Sequence, residues 1–199
     1  MEQRAILEPG KYYHLYNRGI AGTNVFLEVR NYTYFLSLYA RHVEPVAETF
    51  AYCLLRNHFH LLVRVKPQTS EVSETSEVSI AASRAFSNLF NAYAKAINRT
   101  FGRTGALFEH RFRRLEVTTE SYCMRLVHYI HFNPQKHGFV SDFRDYPYSS
   151  YRSLLSERPT RLDRDQVLEW FGGRLGFENT HQALTDETMI KALIAEDDP

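Results

Sequence analysis

The chain has 199 residues, of which 44% are hydrophobic, so it is long enough to bury a core without disulfides, and we expect one domain with an extension. It lacks the ~18 to 20 consecutive apolar residues of a membrane span and starts with no signal-peptide core, which predicts a cytoplasmic protein with no membrane partner. The two cysteines, Cys53 and Cys123, lie far apart in apolar segments and the net charge is only +1, which excludes thiol chemistry and leaves a nucleic-acid partner open.

The first part of the chain predicts three strands and one helix. Residues 11–18 alternate bulky and polar side chains, which is typical of a strand. Residues 26–42 carry apolar side chains at helical spacing and are followed by Pro45, so they predict a helix. Residues 46–55 and 58–66 predict two strands that are close enough in sequence to pair as a hairpin.

The next part predicts a long helix, a strand and a further helix. Residues 67–79 are polar and repeat themselves, which predicts a flexible insertion. Residues 80–101 have the apolar spacing of a long helix, and residues 107–118 resemble a strand. Thr119 can cap a helix that should stop near Pro134.

The order of these elements predicts the fold class. Strand, helix, two strands, helix, strand and helix fit a two-layer α+β domain with an antiparallel sheet and helices packed on one face. We assign this domain to residues 1–150. Residues 151–199 are predicted to form a helical C-terminal appendage, with helices over residues 164–171 and 180–195 and an acidic end.

Two histidines of the second hairpin strand, His58 and His60, lie two residues apart. Strand side chains alternate between faces, so the two imidazoles share one face while Phe59 points to the other. Two neighbouring imidazoles suit one divalent cation. Alternatively, one histidine is hydrogen-bonded in the core and the other is exposed, so a second motif has to support a metal site.

The helix that follows Thr119 contains such a motif. Tyr129 and Asn133 lie four residues apart and share a helix face, so a phenol and an amide oxygen are held one turn apart. A phenol with a pKa near ~10 is a poor nucleophile in water, but a cation that polarises a phosphoryl group removes much of this difficulty. Tyr122 is the rival nucleophile, and Tyr129 could instead fill the core with its hydroxyl satisfied.

Three further histidines, His14, His128 and His131, are predicted to be structural or to support the ligands. A basic and aromatic segment lies between the long helix and the Tyr129 helix. Its members Arg103, Arg111, Arg113, Arg114 and Phe108 are candidate DNA-binding residues, because single-stranded DNA is bound by cations together with stacking aromatics. The alternative is an ordinary solvated strand edge.

Four motifs occur in a fixed order along the chain: NHFHLL (residues 57–62), GALFEHRF (105–112), YIHFNP (129–134) and DYPYSSY (145–151). In this order they resemble the motifs of HUH single-tyrosine transposases, and most of all those of the REP-associated tyrosine transposases. The resemblance covers roughly residues 8–155. The two histidines and the YIHFNP motif are specific in combination and not separately.

The resemblance implies a ferredoxin-like catalytic domain that recognises DNA hairpins and cleaves single strands beside them. Tyr129 would be the nucleophile and would form a 5′-phosphotyrosine link, leaving a free 3′-hydroxyl that can later rejoin strands. His58, His60 and Asn133 would bind Mg²⁺ or Mn²⁺. Two departures from the family pattern matter: Leu55-Arg56 replaces Met-Pro before the histidines, and Pro134 disfavours helical geometry at Asn133.

We therefore expect a metal-dependent endonuclease and strand transferase of DNA transposition and recombination, acting at a prokaryotic nucleoid. Single-stranded or hairpin DNA is the expected partner, and a homodimer and a monomer both fit. One alternative is a domesticated, non-catalytic DNA-hairpin-binding protein. Another is a metal-dependent hydrolase that uses water, although its usual second cluster of His or Asp ligands is missing.

Overall fold

The computed structural model describes residues 6–67, 75–109 and 112–183. Most of the predicted insertion, Arg111 and the chain beyond residue 183 lie outside these ranges. Four strands form one antiparallel sheet in the order β2-β3-β1-β4, with β1 at Tyr12–Arg18, β2 at Ala47–Leu54, β3 at His58–Val65 and β4 at Arg113–Val117. The described helices are α1 (Val29–His42), α2 (Thr75–Thr100), α3 (Glu120–Lys136), α4 (Tyr151–Leu155), α5 (Arg164–Trp170) and α6 (Arg174–Ala183).

The order β1-α1-β2-β3-α2-β4 is that of a ferredoxin-like domain, so the predicted α+β class and antiparallel sheet are confirmed. Helices α1 and α2 cover one face of the sheet. Phe59, Leu61 and Val63 of β3 point into this core and meet Phe35 of α1 and Phe90 of α2. Aromatic rings dominate this side of the sheet, where each buries a large apolar area.

The other face of the sheet is covered as well, which corrects the prediction that helices pack on one face. Leu126 and Ile130 of α3 lie with Leu62 of β3 and Phe50 of β2 in a second core. The second cover is explained by the sequence of β3, which carries apolar side chains on both faces. Strands with this pattern are covered on both sides. Helices α4 to α6 pack into the same second core through residues such as Trp170, whose ring centroid is 5.1 Å from that of Phe50.

Several element boundaries differ from those predicted. Strand β4 is limited to Arg113–Val117, and the preceding Phe108 makes only an isolated bridge to Gly19. Helix α2 already begins at Thr75, and the short helix α4 was not predicted because its surroundings are rich in turn residues. Helix α6 begins at Arg174 and not near residue 180. A glycine near the start of a helix is unfavourable, so Gly176 gave no reason to predict a helix there. Glycine is nevertheless required at this position, because a Cβ at Gly176 would lie 1.8 Å from the Phe171 carbonyl oxygen.

The outer edge of β2 is covered by the chain that follows α3. The Tyr148 carbonyl accepts from Leu54 N–H at 2.9 Å, and Ser150 N–H donates to the Tyr52 carbonyl at 2.9 Å. The Tyr146 hydroxyl donates to the Leu54 carbonyl at 2.8 Å. Through these contacts the DYPYSSY segment fastens the C-terminal part of the chain to the sheet. Among the described residues, no helix has the length and apolar character needed to cross a bilayer.

Candidate functional site

His58 and His60 lie side by side on the face of β3 that α3 covers. Strand pairing places them opposite Arg18 and Tyr16 of β1, and their ring centroids are 5.2 Å apart. The next residue on this face, Leu62, belongs to the second core, whereas Phe59 belongs to the first. The predicted alternation of faces along β3 is confirmed.

Helix α3 brings Tyr129 and Asn133 to the two histidines. Its start is fixed by Thr119, whose hydroxyl accepts from Tyr122 N–H at 3.1 Å, as predicted. The Tyr129 ring centroid is 5.5 Å from that of His60, and Asn133 Oδ1 is 3.2 Å from His58 Nε2. The four side chains predicted to form the catalytic and metal site therefore converge.

Pro134 does not end the helix at the predicted position. The helix continues to Lys136, and the Asn133 carbonyl still accepts from His137 N–H at 3.0 Å. Proline lacks the N–H that would bond to the carbonyl four residues earlier, that of Ile130, so it removes one bond from the last turn. Tyr129 and Asn133 precede this point, and their one-turn relation is preserved.

The surroundings of His58 fit a cation for one of the two possible positions of the imidazole hydrogen. Burial lowers the pKa of His58 to about 4, so the imidazole is neutral at pH 7 and carries one N–H. With that hydrogen on Nδ1, which lies 2.8 Å from Asn57 Oδ1, the bare Nε2 faces the Asn133 oxygen. Two acceptors then face each other at 3.2 Å, and the buried Nδ2 of Asn133 has no partner among the described atoms. These residues fit a divalent cation, which accepts both lone pairs.

The donor set also limits the choice of ligands. Within the described ranges, no group of three or more His, Cys, Asp or Glu side chains is arranged to hold a metal ion. A site at His58 and His60 thus depends on the amide oxygen of Asn133 as a further ligand. Two imidazole nitrogens and one amide oxygen suit Mn²⁺ better than Mg²⁺, which prefers oxygen ligands, with water or substrate oxygens in the remaining positions.

Tyr129 is the better placed of the two candidate nucleophiles. Its ring contacts His60, whereas Tyr122 lies half-buried against the second core near the start of α3. The Tyr129 side chain is only 1% exposed, and the Lys136 ammonium lies 5.6 Å from its ring centroid.

Two neighbours of the site, Tyr16 and His137, were not predicted to belong to it, whereas His14 lies beside a proposed ligand, which fits one of its two predicted roles. His14 Nε2 lies 3.0 Å from His60 Nδ1, and Tyr16 stacks on His14 with centroids 4.8 Å apart. His137 contacts His58 edge-on at 5.0 Å. The alternation of residues 12, 14 and 16 along β1 was visible in the sequence, but the pairing of β1 with β3 was not.

The predicted DNA-binding residues are divided between the two faces. Arg113 is exposed on the site face, opposite Tyr16, and its guanidinium lies 6.0 Å from the Tyr16 ring centroid. Arg114 points to the α2 side and donates to Ser83 Oγ at 3.0 Å. Phe108 is packed among Phe59, Phe90 and Tyr93, so its predicted role in base stacking does not fit its burial. Arg103 lies in the loop after α2, and Arg111 is outside the described residues.

A second group of histidines joins α3 to α6. His131 Nδ1 lies 2.9 Å from His181 Nε2, and His131 Nε2 lies 2.7 Å from Ser150 Oγ. His181 Nδ1 donates to the Phe177 carbonyl at 2.8 Å, which leaves its Nε2 to accept from His131. His128 lies beside His181, and its buried Nε2 has no partner among the described atoms. The predicted structural role of His128 and His131 agrees with these contacts.

Acid should destabilise the protein through this cluster. Burial lowers the pKa of His128 to about 4 and that of His181 to about 3, below the ~6.5 expected in an unfolded chain. The unfolded state therefore binds more protons below this pH. The contribution of the two histidines to the free energy of unfolding is fully present above about pH 6.5. It falls as the pH drops toward the folded values, by up to ~1.4 kcal/mol per pH unit and histidine.

Replacing His128 with phenylalanine tests this dependence. We expect His128→Phe to raise the free energy of unfolding at pH 7 by ~1 kcal/mol, because it removes a buried polar atom without a partner. The decline of stability below pH 6.5 should also become less steep. Urea unfolding at several pH values measures both effects, with His42→Ala on the half-exposed end of α1 as control. An unchanged pH slope in His128→Phe would contradict the expectation.

Comparisons with known proteins agree with the family resemblance of the motifs. No family model matches the chain. A protein of Haemophilus influenzae named "Putative REP-associated tyrosine transposase" is 30% identical over 107 residues, which cover 52% of this chain and 58% of that protein. The chain thus matches little more than half the length of this relative. The chain is related in sequence to this REP-associated tyrosine transposase, and the resemblance is confirmed.

A solved structure of a REP-associated tyrosine transposase bound to a REP hairpin has the same fold. The TM-score is 0.56 at 18% sequence identity, and the match covers 80% of this chain and 88% of the other. The shared fold therefore extends over most of the chain.

Proposed function

We propose that this protein cleaves and rejoins single-stranded DNA beside hairpins, as a transposase that uses Tyr129 as its nucleophile. The observation that carries the proposal is the convergence of Tyr129 with His58, His60 and Asn133. The relative named as a REP-associated tyrosine transposase, and the fold shared with a transposase bound to a REP hairpin, support the same activity.

The proposed reaction is a phosphoryl transfer to the Tyr129 hydroxyl. The Tyr129 oxygen bonds to the scissile phosphorus and the bond from phosphorus to the 3′-oxygen breaks, while the phenol gives up its proton to water and the departing 3′-oxygen takes one up from water. The products are a 5′-phosphotyrosine and a free 3′-hydroxyl, which can attack the tyrosyl link in the reverse sense. A cation held by His58, His60 and Asn133 would polarise the phosphoryl group and stabilise its developing negative charge. The Lys136 ammonium would add a further positive charge close to the Tyr129 ring.

Arg113 is the described arginine of the predicted DNA-binding set that best fits contact with the strand near the site. It lies in one row across the sheet with Tyr16 and His60, and it is exposed. We expect Arg113→Ala to weaken binding of a single-stranded oligonucleotide several-fold and to reduce the slope of log affinity against log salt by ~0.7. Fluorescence anisotropy over a salt series measures this. Arg41→Ala, exposed on α1 across the sheet, is the matched control, and equal losses in both variants would contradict the assignment.

A covalent adduct is the direct test of the proposed function. Oligonucleotides with a hairpin and randomised single-stranded flanks are incubated with the protein and Mn²⁺, then separated on a denaturing gel. Because the link is a 5′-phosphotyrosine, a label at the 3′ end should move with the protein, whereas a label at the 5′ end should appear on a shortened free strand. Absence of any adduct across the pool would contradict the proposal.

The burial of Tyr129 favours one rival, a protein that binds DNA hairpins without turnover. A side chain that is 1% exposed would then simply belong to the core. This rival predicts a retained complex on a native gel and no adduct on the denaturing gel. Hydrolysed strands without an adduct would instead indicate a metal-dependent hydrolase that uses water.

A further inference from the structure

His14 occupies a buried position next to the proposed metal site. It lies on β1 and is 3% exposed, and its register partner on β3 is Leu62, the residue that follows His60 on the same face. The imidazoles of His14 and His60 are stacked, with centroids 5.2 Å apart and planes 22° apart. His14 Nε2 and His60 Nδ1 are 3.0 Å apart, so one hydrogen lies between them.

The hydrogen between the two rings is bonded either to His14 Nε2 or to His60 Nδ1. Its position decides whether His60 Nε2 has a lone pair for a cation. If His14 donates, His60 Nδ1 accepts and the hydrogen of a neutral His60 sits on Nε2, which then has no lone pair for a cation. If His60 donates from Nδ1, its Nε2 is bare and can serve as a ligand. His58 would have the second pattern if its Nδ1 donates to Asn57 Oδ1, which lies 2.8 Å away.

We propose that His14 is a positioning residue that accepts the Nδ1 hydrogen of His60 and thereby keeps His60 Nε2 free to bind a divalent cation. The inference rests on the metal site of the proposed function and adds a residue to it. Imidazole ligands are commonly oriented by a partner of their other nitrogen, and loss of such a partner typically costs ~10- to 100-fold in metal affinity.

The contacts of His14 also join the two halves of the site. Tyr16 stacks on His14 from the same strand, with centroids 4.8 Å apart, which limits rotation of the imidazole. The Tyr129 ring meets His14 edge-on at 6.3 Å. His14 therefore contacts both a proposed ligand and the proposed nucleophile, so a substitution of His14 should affect both residues.

The first test measures the tautomer of His60 without any metal. Nitrogen-15 NMR of the metal-free protein, with His60 assigned by comparison with His60→Gln, distinguishes a hydrogen on Nδ1 from one on Nε2. We expect Nδ1–H in the wild-type protein. A hydrogen on Nε2 would overturn the inference, and this result does not depend on whether the protein cleaves DNA.

The second test compares two substitutions of His14. The Oε1 of His14→Gln can accept a hydrogen bond near the position of Nε2, whereas His14→Phe keeps a flat ring and accepts none. We expect the Mn²⁺ affinity, followed by electron paramagnetic resonance, to fall ~10- to 100-fold in His14→Phe and to stay within a few-fold in His14→Gln. Thermal unfolding of both variants shows whether the loss follows stability instead.

The outcomes separate this inference from the proposed function. Mn²⁺ binding by His14→Phe as tight as that of the wild-type protein would overturn the role of His14. Equal losses in both variants would overturn it as well, because they would indicate direct ligation or a purely structural role. If the wild-type protein bound no Mn²⁺, the metal site of the proposed function would fail, while the NMR experiment would still decide the tautomer.

Discussion

Replacing Tyr129 with phenylalanine should abolish the covalent protein–DNA adduct, with a loss of ~10⁴-fold or more in the rate of its formation. The phenyl ring preserves the packing against His60 and beneath the Lys136 ammonium. Only the attacking oxygen is lost, so we expect the oligonucleotide affinity to remain and the stability to change by ~1 kcal/mol at most. Denaturing gels with 3′-labelled hairpin DNA measure the adduct, and anisotropy measures binding.

Tyr122→Phe is the matched control for this experiment. The two tyrosines lie on the same helix and both pack in the second core, but the ring of Tyr129 lies against His60 and His14, while Tyr122 is half-buried near the start of α3. Tyr122→Phe should form adduct at the wild-type rate. An adduct that persists in Tyr129→Phe and disappears in Tyr122→Phe would transfer the nucleophile to the other residue and refute the assignment made from the site.

His58→Ala should remove metal-dependent cleavage, with an expected loss of ~10²- to 10⁴-fold at saturating DNA. The substitution deletes the imidazole nitrogen that faces Asn133 Oδ1 at 3.2 Å, so two of the three proposed ligands remain. Mn²⁺ affinity should fall in parallel, and higher Mn²⁺ should partly restore cleavage. Cleavage rates over a metal titration, together with electron paramagnetic resonance of bound Mn²⁺, measure both quantities.

His137→Ala provides the control for the metal titration. Its ring lies 5.0 Å from that of His58, it is exposed, and it is not a proposed ligand. This variant should keep most of the metal affinity of the wild-type protein. A cleavage rate that does not change across the titration in any variant, the wild-type protein included, would argue against a metal site at His58.

The spacing of residues along the chain predicted the pair of histidines and the pair of helix residues separately. It did not predict that the two pairs lie together in the fold. The alternation of β3 placed His58 and His60 on one face, and the helical repeat placed Tyr129 and Asn133 on one face, because these relations depend only on residues close in sequence. Which strand pairs with β3 depends on contacts distant along the chain, so the bond from His60 to His14 could not be foreseen.

The errors have equally local causes. Phe108 was counted as a DNA contact because it lies among arginines, but a large aromatic side chain before an edge strand can turn inward, and here it fills the first core. The helices were expected on one face because the ferredoxin-like order accounts for α1 and α2 alone. The third helix was part of the predicted order, but nothing in the sequence showed which face of the sheet it covers; it carries Tyr129 and covers the face opposite α1 and α2.

The bonds between His131 and His181 have a consequence for the order in which the protein matures. The ribosome makes the Tyr129 helix some fifty residues before it makes His181, and until then the buried Nδ1 of His131 has no acceptor from α6. A nascent chain therefore contains Tyr129 before the contacts between α3 and α6 can form. These contacts can form only after the segment with His181 has left the ribosome.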